Sequence, residues 1–269
     1  MSSTATDRRA DARTAALLPA ALLPVALPLA RVVLVGLSAL AVWALLSTSG
    51  EPIGYSAVTQ YSALALAPVN LLCLYLLSRV LRRDGGSIRQ LAGLTRARLG
   101  RDIAWGILWL AVLYLPFALA VVGTMLVLFG GDAFTSFERV FAPDSSAGPV
   151  LPQAVAIVLA VLTVVTFAPL NAPTEELVFR GYSQGCLARV WPASLAVLVP
   201  AVIFGLQHAL FAPSVEGAIV YVVAFFVWGL GSGLIYLRQR RLAPLVYCHL
   251  IVNLLFSLPA LVVPFVAGA

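Results

Sequence analysis

Seven stretches of roughly twenty apolar residues dominate this chain, each long enough to cross a hydrocarbon layer of ~30 Å as a helix. They cover residues 30–48, 58–78, 103–129, 150–172, 193–212, 217–237 and 242–266. Composition agrees: 61% of residues are hydrophobic, 10% are charged and the mean hydropathy is +1.00, against about 25% charged in an ordinary soluble domain. A soluble globular enzyme is excluded, and so is a disordered chain. The expected fold is all-α, a polytopic membrane bundle of seven to eight transmembrane helices.

The uncertainty in the count lies at residues 15–30. They are apolar but contain Pro19, Pro24 and Pro28, each of which removes a helix hydrogen bond or kinks the chain. An eighth span, an interfacial segment and a signal-like lead-in remain open, a removable signal peptide being the least favoured.

All 17 basic residues are Arg, and their placement orients the helices. Arg79, Arg82, Arg83, Arg89, Arg96, Arg98 and Arg101 follow the second run; Arg238, Arg240 and Arg241 precede the last; Arg8, Arg9 and Arg13 lie near residue 1. With seven spans all three groups fall on one side, cytoplasmic by the positive-inside rule, with the N-terminus cytoplasmic too. The opposite loops hold Glu51, Asp132, Glu138, Arg139, Asp144 and Glu216. The net charge of +6 therefore suits anionic lipid head groups rather than nucleic acid. Arg without Lys, beside abundant Ala and Leu, points to a bacterial plasma membrane.

Between residues 84 and 102, Arg alternates with Ile88, Leu91, Leu94 and Leu99, as expected of an interfacial segment. Trp105 and Trp191 are expected to anchor at the interface. Gly229, Gly231 and Gly233 fit close packing of the sixth span inside the bundle. Cys73, Cys186 and Cys248 have neither even number nor CxxC spacing, and are read as small core residues rather than a disulfide or zinc framework.

A charge near the bilayer centre costs at least ~2.5 kcal/mol on insertion scales, so polar residues inside apolar runs carry the information. Arg31, at the start of the first run, is read as snorkelling to the surface. After the fourth run comes Pro173-Thr174-Glu175-Glu176-Leu177-Val178-Phe179-Arg180-Gly181. Pro169 and Pro173 should break that span, and Thr174 should cap a re-entering helix. Glu176 and Arg180, four residues apart, can pair on one face; Glu175, roughly 100° away around the axis, is left available. The chain's two histidines lie in later runs, His208 in the fifth and His249 in the last, with Asn253 one turn beyond His249. Gln207 faces elsewhere and is read as a helix-to-helix contact.

These groups resemble the three motifs of the CPBP intramembrane protease family, which includes type II CAAX prenyl endopeptidases and bacteriocin-processing or self-immunity proteins. The family pattern is Glu-Glu-x-x-x-Arg, Phe-x-x-x-His and His-x-x-x-Asn or Asp. It is matched in order by Glu175, Glu176 and Arg180, by Phe204 and His208, and by His249 and Asn253. Phe179-Arg180-Gly181 and Leu242-Ala243-Pro244 also look like the family, and the resemblance spans about 151–255. It divides the chain into residues 1–149, holding a tail, the first helices and a basic loop, and 150–269, a catalytic bundle.

The resemblance implies an active site within the bilayer, reached from the cytoplasmic side through a polar cavity. It implies that Glu175 activates water with help from His208, that His249 and Asn253 stabilise the oxyanion, and that Glu176 and Arg180 hold the site together. The expected activity is an intramembrane endopeptidase acting on a peptide or membrane-protein substrate; the alternative is a non-proteolytic peptide-binding or self-immunity protein on the same scaffold. No cofactor is favoured. Were zinc bound, Glu175, His208 and His249 would be its ligands with water as the fourth, although the His-Glu-x-x-His helix usual for such sites is absent.

Overall fold

Helices satisfy their own backbone groups, so in a chain this apolar what remains is which faces turn inward. The computed structural model describes residues 5–48, 50, 53–142, 151–262 and 265, with side chains in the first helix from residue 20 onward. Among them there is no strand, and seven helices are long and apolar enough to cross a membrane. We label them α1 (Ala5–Ser47), α2 (Ser62–Arg83), α3 (Leu99–Phe129), α4 (Gln153–Leu187), α5 (Ala193–His208), α6 (Val215–Gln239) and α7 (Ala243–Ser257). Glu51 and Asp144 lie outside the described residues.

The segment 15–30 is neither an eighth span nor a separate lead-in. It is continuous with α1, whose apolar part runs from Ala20 to Ser47. Pro24 and Pro28 lie inside this helix and are buried.

The break expected at Pro169 and Pro173 is also absent. α4 continues through two π-helical stretches, Phe167–Asn171 and Glu176–Gln184, around a single α turn, Ala172–Glu175. At Pro169 the wider i→i+5 turn accommodates a ring that would clash with the carbonyl four residues back, while Pro173 sits at the start of the α turn, where a missing N–H is tolerated. Thr174 caps nothing; its Oγ1 donates to the Leu170 carbonyl at 2.6 Å.

α5 packs along α6, α3 lies against α6 and α7, and α1 rests on α2, α5 and the second π stretch of α4. Glycines permit the closest approaches. A Cβ on Gly205 would lie 2.7 Å from the Val222 carbonyl oxygen, and one on Gly229 3.2 Å from the Ala201 Cα. Gly233 abuts Val197 while Gly231 meets Leu113, so the glycines of α6 serve packing within the bundle on two faces. Leu22, Val33, Leu40, Leu115, Leu119 and Val127 point outward, Val127 being 86% exposed. A surface of this kind needs hydrocarbon around it.

The loops after α2, α4 and α6 meet at one end, where Asp84, Arg189 and Arg240 line a common cavity. There Arg241 bonds Asp102 at 2.7 Å, tying the start of α3 to the loop before α7. Arg240 takes the left-handed conformation (φ 54°) that ends α6. Within the basic loop, a short helix (Ile88–Ala92) is capped by Ser87 and closed by Gly93 at φ 63°. Its Leu91 presses against Gly181 of α4, where a Cβ would lie 3.1 Å from the Leu91 Cγ. At the opposite end, the Tyr55 hydroxyl donates to the Leu210 carbonyl at 2.7 Å.

Candidate active site

The interior holds a group of polar residues that hydrocarbon could not solvate. Arg31, Asn70, Asn171, Glu175, Glu176, Arg180, Gln207, His208, His249 and Asn253 are all buried. α4 contributes Glu175, Glu176 and Arg180; α5 contributes Phe204, Gln207 and His208; α7 contributes His249 and Asn253.

Glu175 stands at the centre. Its Oε1 accepts from Gln207 Nε2 at 2.7 Å and from Arg31 Nη2 at 3.0 Å. Its Oε2 has no hydrogen-bond partner among the described residues and faces His249 Nε2 at 3.5 Å. On the other edge of the ring, His249 Nδ1 donates to Glu176 Oε1 at 2.9 Å. One imidazole therefore spans the two carboxylates.

Glu176 also faces Arg180, as expected from their spacing, at 3.4 Å. Arg180 Nη1 and Nη2 have no hydrogen-bond partner among the described residues. Its guanidinium instead lies 4.3 Å over the Phe204 ring, a desolvated cation–π contact. Phe204 also meets Phe179 edge-on at 5.2 Å. The motif aromatic is thus the platform on which Arg180 rests.

His208 Nδ1 donates to the Phe204 carbonyl one turn back at 2.7 Å, which leaves Nε2 as the acceptor in the neutral ring. Phe225 stacks on that ring at 3.6 Å. Asn253 Nδ2 is buried and unpartnered among the described residues.

Two expectations change. Glu175 is not the free carboxylate: it is ion-paired with Arg31, which is fully buried and does not snorkel. Since the apolar part of α1 begins at Ala20 rather than near residue 30, Arg31 lies well inside the span. Gln207 makes the helix-to-helix contact read from the sequence, and its partner is Glu175 itself. Sequence reasoning also passed over Asn70 and Asn171, whose side-chain oxygens accept from Arg31 at 2.8 and 2.7 Å. An Arg inside an apolar run with no named partner was the available signal.

The cavity differs as well. A space of about 420 Å³ opens at the basic end, walled by Gly181, Tyr182, Cys186, Arg189, Tyr236 and Arg240, and does not include Glu175. Cys186 is half-buried, packed against the core on one side and lining this cavity on the other. Its floor on α4 lies about one and a half turns beyond Glu176.

As a metal site the cluster fits poorly. Among the described residues no three His, Cys, Asp or Glu side chains converge to hold an ion. Of the three expected ligands, Glu175 already carries a guanidinium on one oxygen.

Fold and site together define a polytopic helical membrane protein with a carboxylate–imidazole cluster buried between its spans. Residues 154–255 match the family model of the Rce1-like type II CAAX prenyl endopeptidases, the family to which the three motifs point. At family level the match supports an endopeptidase of the CAAX-protease kind. No curated protein and no solved structure matched the chain.

Proposed function

We propose that this protein is an intramembrane endopeptidase that hydrolyses a peptide bond near the cytoplasmic membrane surface by carboxylate-activated water. The observation that carries the reading is the asymmetry of Glu175: one oxygen holds two donors, while the other is buried, unpartnered among the described residues and beside His249. Buried polar atoms need partners, and a water on Oε2 would be placed to lose a proton to it.

In this mechanism Oε2 takes the proton as the water oxygen attacks the scissile carbonyl, and Glu175 later returns it to the leaving amine. Asn253 Nδ2 donates to the tetrahedral oxygen. His249 adds a second donor only in its doubly protonated form, because its Nδ1 proton is committed to Glu176. His208 Nε2 is a second acceptor for the water. Glu176, Arg180 and Phe204 hold α4 against α5 and α7, and no step runs through a metal. The substrate is a peptide or membrane protein, reaching the site along α4 from the basic-end cavity.

The closed state of the cluster, with Glu175 1% exposed, favours a second reading: a peptide-binding or self-immunity protein that uses the cavity and performs no hydrolysis. Purified, detergent-solubilised protein incubated with a quenched fluorescent peptide library separates the two, with Glu175→Gln alongside and metal content measured on the same sample. Cleavage reduced at least about 10²-fold in the variant is the expected result. Binding without cleavage by both folded proteins would establish the second reading.

A further inference from the structure

Arg31 is the fully buried cation that meets Glu175, and it lies on α1, more than a hundred residues before the segment that matches the endopeptidase family. Its guanidinium makes three hydrogen bonds that reach two other helices. Nη1 donates to Asn70 Oδ1 on α2; Nη2 donates to Asn171 Oδ1 in the first π stretch of α4 and to Glu175 Oε1 in the α turn that follows. Nη1 also lies 3.8 Å from Cys73 Sγ.

A planar fork of donors on α1, held by acceptors from α2 and α4, fixes position and direction together. The two asparagines fix the guanidinium in the plane, and the guanidinium then fixes which oxygen of Glu175 is occupied. Gln207 donates to that same oxygen, so both restraints act on Oε1 and leave Oε2 turned toward His249. We infer that Arg31 is a positioning residue for Glu175, and that the working site includes α1 and α2 as well as the matched segment. This rests on the reading of Glu175 as the base.

Two measurements on the full-length protein test it. The first needs no activity: thermal unfolding of Arg31→Gln, Glu175→Gln and the double variant in one detergent. Removing one partner strands a buried charge, so each single variant should melt about 5–10 °C lower, and the double variant should lie closer to wild type than the worse single. Strictly additive losses would overturn the pairing.

The second compares kcat and KM for Arg31→Gln and Arg31→Lys on a cleaved peptide. Misplacing the base should lower kcat about 10–10²-fold in Arg31→Gln with KM within about twofold. Arg31→Lys, which keeps the charge but not the fork, should recover only part of it. An unchanged kcat in folded Arg31→Gln, or full recovery in Arg31→Lys, would overturn the positioning role. If folded wild type cleaves nothing, the endopeptidase reading fails, while the melting cycle still decides whether the pair exists.

Discussion

At the scale of single residues, each motif side chain has a distinct physical task. Asn253 has a buried amide nitrogen with no partner among the described residues, which suits a donor that bonds only when a tetrahedral oxygen forms. Asn253→Ala should therefore lower kcat about 10²-fold, with little change in melting temperature, as loss of one oxyanion donor does elsewhere; steady-state kinetics and thermal unfolding on one preparation check both halves. Phe204 is different, because it carries the Arg180 guanidinium and the Phe179 edge. Phe204→Leu removes these contacts together with those to the His208, Phe225 and His249 rings and should cost about 1–3 kcal/mol of stability, read as a lower melting temperature. Arg180→Ala leaves the buried Glu176 with the His249 N–H but without its guanidinium counter-charge, and should reduce yield and activity together.

Among the elements, α4 is the unusual one. Pro169, in the first π stretch, and Pro173, in the α turn that follows, are expected to end a helix but do not, so Asn171, Glu175, Glu176 and Arg180 stay on one continuous rod. Sequence spacing predicted the Glu176–Arg180 pair because four residues return to the same face. It did not predict the partner of Glu175, which comes from another helix. The α5–α6 contact depends on a missing side chain. Since the atom facing Gly205 is a backbone oxygen, neither helix can yield locally, and Gly205→Val should force them apart. A loss of about 1–3 kcal/mol is expected, with activity falling because Gln207 and His208 sit on the next turn; melting in detergent and peptide turnover test this.

For the molecule as a whole, polarity is inverted relative to a soluble protein: Leu and Val face outward while ten polar or charged residues from α1, α2, α4, α5 and α7 meet inside. The two halves of the chain close around one cluster, joined by Arg31 and Glu175 across 144 residues. The basic loops gather at one end, and with the Arg bias this predicts their sidedness. In a background carrying Cys186→Ser, Arg89→Cys and Arg238→Cys should label with an impermeant thiol reagent only from the cytoplasmic side, and Glu216→Cys only from the opposite side. Labelling of Arg89→Cys from outside would reverse the topology.

The sequence by itself determined the nature of the spans and seven of their positions, because an apolar helix long enough to cross a bilayer is a local property of about twenty consecutive residues. The structure decided that residues 15–30 join the first span rather than form an eighth. The sequence also determined the three motifs and the Glu176–Arg180 pair, which obey helical periodicity. Only the tertiary structure decided that Arg31, Asn70, Asn171 and Gln207 complete the surroundings of Glu175. Their meeting depends on how α1, α2, α4 and α5 pack, and no pattern within one helix encodes the neighbour it will face.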